Sequence, residues 1–368
     1  MLVISIVGFV AFSAIVGVVF VNMSPQFGKG YGDDQKDRFA GLDNFENGKF
    51  VNQHLTEMDV NFFEATIEYF KNDPSRSPDR NIEVNKIDSI AIEEHPEEIT
   101  YLTWFGHSAF LLEIDGKKIL LDPMLGDTPA PHPLLGKKRY SQELPIEIEK
   151  LPFIDAIILS HDHYDHLDYP SIKKLKDKTG QFFVPLGLGS HLKSWGVPDN
   201  KIQEFNWWEA TRWDGIQLVC TPARHFSGRG ILDRNVTLWC SWVIQGRNHK
   251  IFFSGDSGYD DHFKEIGEKY GPFDISLLEC GQYNEDWKAI HMMPEETVQA
   301  AIDLKSQMFI PIHWGAFTLA FHSWTDPVVR ASKKAAELDM PMTTPRIGET
   351  IKIGSDDYPK EQWWDTYN

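Results

Sequence analysis

Residues Ser160–Asp168 read SHDHYDHLD, three histidines and three aspartates closing the apolar run DAIILS. Neutral imidazole nitrogens and carboxylate oxygens are the usual ligands of zinc and related divalent ions. In extended chain His161 and His163, two apart, point the same way. Past a bend, Asp165 and His166 can face a second ion. Neither pair completes a coordination shell, so further ligands must come from elsewhere. His225, Asp256 and His313 offer themselves, each directly after a strand-like run: VCTPAR, FFSG and FIPI. Together these five histidines and two aspartates suit two ions with room for a bridging water or hydroxide. A solvated loop would not repeat H-x-H-x-D-H behind an apolar strand. Asp162, between the first two histidines, points away from them and reads as support for a ligand. His107 in FGHSA and Asp122 in LLDP also follow strands; each is either such a support or a structural turn.

These side chains must be held by regular elements. From Ile99 onward the chain is rich in short apolar runs: ITYLTWFG, AFLLEID, KKILLDP, DAIILS, IQLVCTP, TLWCSWVIQ, HKIFFSG, DISLLEC and MFIPIH. Asp115-Gly116 between the second and third is a hairpin signal. Helices are expected over Tyr169–Lys176, Asp261–Tyr270, Pro294–Ser306 and Asp326–Leu338. Pro294 followed by two glutamates is a good helix start, with proline at the first turn and acids at the positive dipole end. Strands with helices interspersed imply a layered α/β or α+β body.

The order H-x-H-x-D-H, later His, later Asp in an SGD turn, and final IHWG histidine resembles the metallo-β-lactamase-fold hydrolases. TWFGHSAFLLE (103–113) also carries the resemblance, and TPARHFSGRG (221–230) and the SGDSGY stretch of FFSGDSGYDDHFKEIGEKYGPFD (252–274) narrow it to the N-acylphosphatidylethanolamine-hydrolysing phospholipase D branch. It implies an α+β, four-layer αβ/βα sandwich with a dinuclear zinc site at one edge of two sheets. It assigns His161, His163 and His225 to one zinc, and Asp165, His166 and His313 to the other. Asp256 bridges, and His291, just before MMPEE, lies near the substrate phosphate. A related di-iron oxidase pattern has glutamate where His163 stands, so histidine there favours zinc. The segment CGQYNEDWKA (280–289) departs from the branch: it is acidic where the animal phospholipase carries aromatic and basic residues.

The expected activity is therefore hydrolysis of a phosphodiester by a metal-bridging hydroxide, with N-acylphosphatidylethanolamine or a related phospholipid as substrate. Asp256 and His291 are the expected catalytic residues. A lactonase or other hydrolase of a soluble substrate is the alternative within enzymes. A non-catalytic zinc-binding envelope protein is the alternative outside them.

Composition bounds the rest. The formal net charge is −18 and no basic block stands out, which argues against a nucleic-acid partner. Three cysteines (Cys220, Cys240, Cys280) make no metal or redox spacing and read as buried thiols. Residues 1–23 contain LVISIVGFVAFSAIVGVVFVNM, without a charge until Lys29. At about 1.5 Å per residue this run just spans a ~30 Å hydrocarbon layer. It reads as a retained single-helix membrane anchor rather than a cleaved signal, for no basic residue precedes it. Lys29, Lys36 and Arg38 after it would place the catalytic domain on the cytoplasmic side. Residues 24–98 form a polar pre-domain region and linker, with a short amphipathic helix over Val60–Phe70, and residues 99–368 the hydrolase domain. Phe226 and Trp314, beside expected ligands, are candidates for an apolar entrance, with core burial as the default for both. The oligomeric state is left open.

Overall fold

Strands that are apolar on both faces need cover on both sides, and that need organises this chain. The computed structural model describes residues 12, 16–21, 23–60, 62–71, 73–230 and 232–368. Their strands are β1 (Phe45–Glu46), β2 (Lys49–Phe50), β3 (Tyr101–Trp104), β4 (Phe110–Ile114), β5 (Lys117–Leu121), β6 (Ile154–Ile158), β7 (Thr179–Pro185), β8 (Ile202–Phe205), β9 (Ala210–Trp213), β10 (Ile216–Thr221), β11 (Ser241–Gln245), β12 (Lys250–Phe253), β13 (Ile275–Glu279), β14 (Phe309–Ile312) and β15 (Thr350–Lys352). β1 and β2 pair as a small ribbon. The others build a seven-stranded sheet, β15-β3-β4-β5-β6-β7-β8, and a six-stranded sheet, β14-β13-β12-β11-β10-β9.

The largest core lies between the two sheets. Phe110, Leu112 and Ile119 of the first sheet and Leu218, Ile251 and Leu277 of the second share one buried cluster. The alternate residues face outward. Leu111, Leu120 and Ile157 pack with the helices α3 (Ser89–Glu94), α4 (Tyr169–Leu175) and α5 (Gly189–Ser194), which follow α1 (Asp33–Phe39) and α2 (Phe62–Phe70) in the chain. Val219, Phe252 and Leu278 pack with α6 (His262–Tyr270), α7 (Pro294–Asp303) and α8 (Asp326–Glu337). The result is the expected four-layer αβ/βα sandwich. The strand period of two therefore feeds two cores at once, which is why the runs read as continuously apolar.

Direction matters more than order for the site. β5, β6 and β7 are mutually parallel, as are β12, β13 and β14. β3 reaches β5 through the antiparallel β4, and β10 reaches β12 through the antiparallel β11, so both run with their groups. Every strand that precedes an expected ligand thus delivers its carboxyl end to the same edge of its sheet.

Four strands carried no apolar run to announce them. β7 opens on Thr-Gly-Gln and closes on proline. β8 is an edge strand that is only partly buried, and β9 alternates exposed and half-buried positions. β15 is short and lies on the opposite edge of the first sheet. Helix starts fare better. Asp168 caps α4 by accepting from the Ser171 N–H, and Glu296 accepts from the Met293 N–H at the start of α7. All three cysteines are free and buried.

Residues 24–98 differ from a linker ahead of the domain. Phe39, Phe45, Phe50 and Ile82 join the core between the sheets. Asn52 clamps the backbone of His225, donating to its carbonyl at 2.8 Å and accepting from its N–H at 3.2 Å.

The expected membrane-spanning anchor is overturned. Most of 2–23 lies outside the described residues, and among the described residues no helix is long and apolar enough to cross a membrane. Residues 16–21 are helical, and Phe20 meets Phe27 and His132 of the folded domain, with ring centroids 5.4 and 6.2 Å away. Phe12, Val16, Val19 and Met23 of the same run stay exposed. The cytoplasmic placement rested on that anchor and goes with it.

Candidate metal centre

The turn after β6 carries His161, His163, Asp165 and His166 into the edge where the other strand ends meet. His161, His163, His225 and Asp256 bring one ligand atom each to within 4.8 Å of one another, and so do His107, Asp165, His166 and His313. Asp256 lies between the groups. Its Oδ2 is 3.7 Å from His161 Nε2 and 3.8 Å from His225 Nε2. Its Oδ1 is 3.1 Å from His166 Nε2 and 2.9 Å from His313 Nδ1. All seven expected ligands are thus brought together, with one carboxylate oxygen aimed at each group.

Partners behind the ligands decide which nitrogen is free. His161 Nδ1 donates to Ser160 Oγ (2.9 Å), which donates to Asp122. His225 Nδ1 donates to the Ile290 carbonyl (2.9 Å), and His166 Nδ1 to Asp122 Oδ2 (2.7 Å). Each of these rings therefore turns an Nε2 lone pair inward. His163 Nδ1 stands 2.9 Å from the first and 3.2 Å from the second. Three nitrogens converging this way suit a cation, because one shared proton cannot satisfy all three. His166 Nε2 and Asp256 Oδ1 are likewise buried without a hydrogen-bond partner.

Electrostatics agree with the fit. Burial, then the neighbouring imidazoles, depresses His161 and His225 well below the usual histidine range, which keeps them neutral as ligands must be. For His166 burial acts the same way but is outweighed by Asp256 and Asp165, so its pKa rises. That spot favours positive charge, and a divalent ion would take the proton's place.

His107 stands behind Asp165, at 2.9 Å from its Oδ2. Burial, then His313, lowers its pKa to about 3. The backbones of His107 and His313 both have positive φ, 56° and 67°, uncommon for non-glycine residues. They are stitched reciprocally: His313 N–H donates to the His107 carbonyl, and His107 N–H to the Trp314 carbonyl, both at 3.2 Å. Gly255 of the SGD turn has φ 56°, and a Cβ there would sit 2.4 Å from Ser160 Cβ. Only glycine lets that turn pass so close to the metal-binding loop.

Asp162 faces away from the ligands. It accepts from Gly228 N–H and Thr237 Oγ1, both at 2.8 Å, and lies 3.3 Å from His191 Nε2. His291 lines the cleft above the ligands, its ring stacked on His313 at 5.3 Å. Phe226 lines the same cleft, whereas Trp314 is core, packed on Trp104 and Trp363. The cleft is about 320 Å³, and Met58, Val60, Trp287, Ile290 and Leu319 give it apolar walls.

Sequence reasoning missed Asn52, Glu279, His191 and Arg229. Only Glu279 carried a signal, as the polar end of the apolar run ISLLE. Arg229 is buried, with no carboxylate in ion-pairing range among the described residues. It donates instead to the carbonyls of Leu167 (2.8 Å), Asp162 (2.5 Å) and Gln26 (2.7 Å), tying the N-terminal segment to the metal-binding loop. Arg229→Met leaves three carbonyls without a donor and is expected to cost about 3 kcal/mol. A urea titration measures it. Arg229→Lys should recover only part, because one ammonium nitrogen cannot stand where several guanidinium nitrogens meet these carbonyls; full recovery by lysine would show that charge alone matters.

Comparison with known proteins agrees with this geometry. Residues 117–314 match the family described as "Beta-lactamase superfamily domain". An uncharacterized protein of Mycobacterium tuberculosis is 45% identical over 254 residues, covering 68% of each chain. The N-acyl-phosphatidylethanolamine-hydrolyzing phospholipase D 1 of Caenorhabditis elegans is 37% identical over 237 residues, covering 61% of this chain and 66% of that one. Among solved structures, an isothiocyanate hydrolase from Delia radicum gut bacteria shares the fold at 21% identity, with a TM-score of 0.56 over 68% of this chain and 98% of that one. By the matched domain, the sandwich and the buried His/Asp cluster, the chain belongs to the metallo-β-lactamase superfamily of metal-dependent hydrolases.

Proposed function

We propose that the chain is a dinuclear zinc phosphodiesterase of the phospholipase D type, acting on N-acylphosphatidylethanolamine or a related phospholipid. The observation that carries this reading is Asp256, one oxygen toward each of two His/Asp groups, at the floor of an apolar-walled cleft. His161, His163 and His225 would hold one ion, Asp165, His166 and His313 the other, with Asp256 shared. Ions held there would supply an activated water near neutral pH and offset charge on a phosphoryl group. The relatives support the substrate class: the nematode protein and a yeast mitochondrial protein 35% identical to this chain are both named for hydrolysing N-acylphosphatidylethanolamine.

The chain's own residues then orient and protect. Asp122 and the Ile290 carbonyl fix the imidazoles, so ligand geometry is set before substrate arrives. Phe226, Trp287 and Leu319 exclude water around the glycerol and acyl portions. His291, at the rim beside His313, accepts from the water that attacks the phosphoryl group.

The test is zinc-loaded protein on mixed liposomes containing N-acylphosphatidylethanolamine, with products read by mass spectrometry. Phosphatidic acid and N-acylethanolamine should appear in equal amounts. His291→Ala should keep its metal and lose about 10²- to 10³-fold in kcat, as expected for one positioned general base. Inert wild type that opens lactones would move the function to a soluble substrate. Two bound ions with no turnover on either class would leave a binding protein.

A further inference from the structure

Glu279 is a fully buried carboxylate at the end of β13. No Lys or Arg lies within ion-pairing range among the described residues, and its recorded partner in charge is His291. Burying a carboxylate costs several kcal/mol unless something compensates, so the pairing calls for a reason. The backbone at this point is fixed: Glu279 N–H donates to Ser254 Oγ (2.9 Å), and the Glu279 carbonyl accepts from Thr297 Oγ1 (2.8 Å). Both side-chain oxygens are committed as well. Oε2 accepts from the Met292 N–H at 2.8 Å, and Oε1 lies 3.1 Å from His291 Nδ1.

We infer that Glu279 is the positioning residue of His291, holding the proton on Nδ1 and presenting Nε2 to the cleft. A carboxylate only accepts, so two donors must face it, and the Met292 N–H supplies one. His291 supplies the other from Nδ1. The ring is held from both sides, by Glu279 and by stacking on His313. Its second nitrogen is left on the cleft side as a lone pair, free to accept from the water that attacks the phosphoryl group. This rests on the proposed function for what His291 meets, though not for how Glu279 sets it.

The argument makes Glu279→Gln informative, because glutamine keeps the volume but has one accepting end. The Met292 N–H takes that oxygen. The amide nitrogen must then donate to His291 Nδ1, and the ring proton moves to Nε2. The experiment is 15N-histidine labelling of the zinc-loaded protein with long-range 1H–15N correlation, His291 being assigned by its loss in His291→Gln. Wild type should show the Nδ1–H pattern and Glu279→Gln the Nε2–H pattern. Metal content should stay at the wild-type level, and kcat should fall about 10- to 100-fold with KM nearly unchanged.

Glu279→Ala serves as a second variant: it should release the ring to a mixture of tautomers. A His291 pattern identical in wild type and Glu279→Gln would overturn the inference, as would an Nε2–H pattern already present in wild type. The tautomer is read without substrate. A tautomer change together with inert wild type would therefore sink the phospholipid reading and leave Glu279 in its role.

Discussion

Asp256→Ala is expected to strip the protein of most of its bound metal and to lower phosphodiester turnover by about 10³-fold, near 4 kcal/mol of transition-state stabilisation. The size follows from where the carboxylate stands. Its two oxygens face His161 and His225 on one side and His166 and His313 on the other, all within 3.8 Å. Any other single replacement among the ligands leaves one group whole, whereas this one removes an oxygen from both. Asp256→Asn separates charge from shape. Its amide fills the same space, but it removes one negative charge and turns one accepting end into a donor facing imidazole nitrogens. Metal content by plasma mass spectrometry, alongside turnover, should place the asparagine variant close to alanine. A variant that keeps two ions per chain would show that Asp256 is no ligand.

Much of this centre was legible because strands, ligands and direction are written in the same places. IILS, VCTPAR, FFSG and FIPI each pass from apolar to ligand within a few residues, since a buried strand must end where its backbone reaches the sheet edge. Parallel direction then brings those ends together, a property that local sequence does not display. The second layer was harder to see. Glu279 closes ISLLE as the ligands close their strands, yet a single glutamate after an apolar run has many ordinary explanations. Asn52 and Arg229 act by binding backbone carbonyls and N–H groups far along the chain, and no spacing announces such contacts. The polar composition of residues 24–98 suggested separation from the domain. Four aromatic or aliphatic side chains, Phe39, Phe45, Phe50 and Ile82, are enough to bind that region into the core. The apolar opening of the chain suggested a bilayer because hydropathy counts apolar residues, whereas a span also needs about 20 of them in one continuous helix.

Asp122 makes the second large prediction, because one fully buried carboxylate supports both groups from behind. It accepts from the Ser160 N–H at 2.7 Å, from Ser160 Oγ at 2.5 Å and from His166 Nδ1 at 2.7 Å. Three donors face it, and asparagine cannot serve three donors with one oxygen. If the Asn oxygen takes the Ser160 side, its amide must point at His166 and donate to Nδ1. The His166 proton then moves to Nε2, the nitrogen that turns toward Asp256, and the ligand lone pair is lost without moving an atom of the ring. Asp122→Asn should therefore weaken the ion beside His166 about 10- to 100-fold, the usual scale for a carboxylate behind a metal-bound imidazole. The ion beside His163 and His225 should be affected less, through Ser160 and His161 alone. A competition titration with a chromogenic zinc chelator resolves the two sites, and the expected result is one ion held as in wild type and one released early. Equal weakening of both would mean that the Ser160 link carries as much as the direct bond to His166. No weakening of either would show that the imidazole keeps its tautomer without Asp122, and the orienting role would fall.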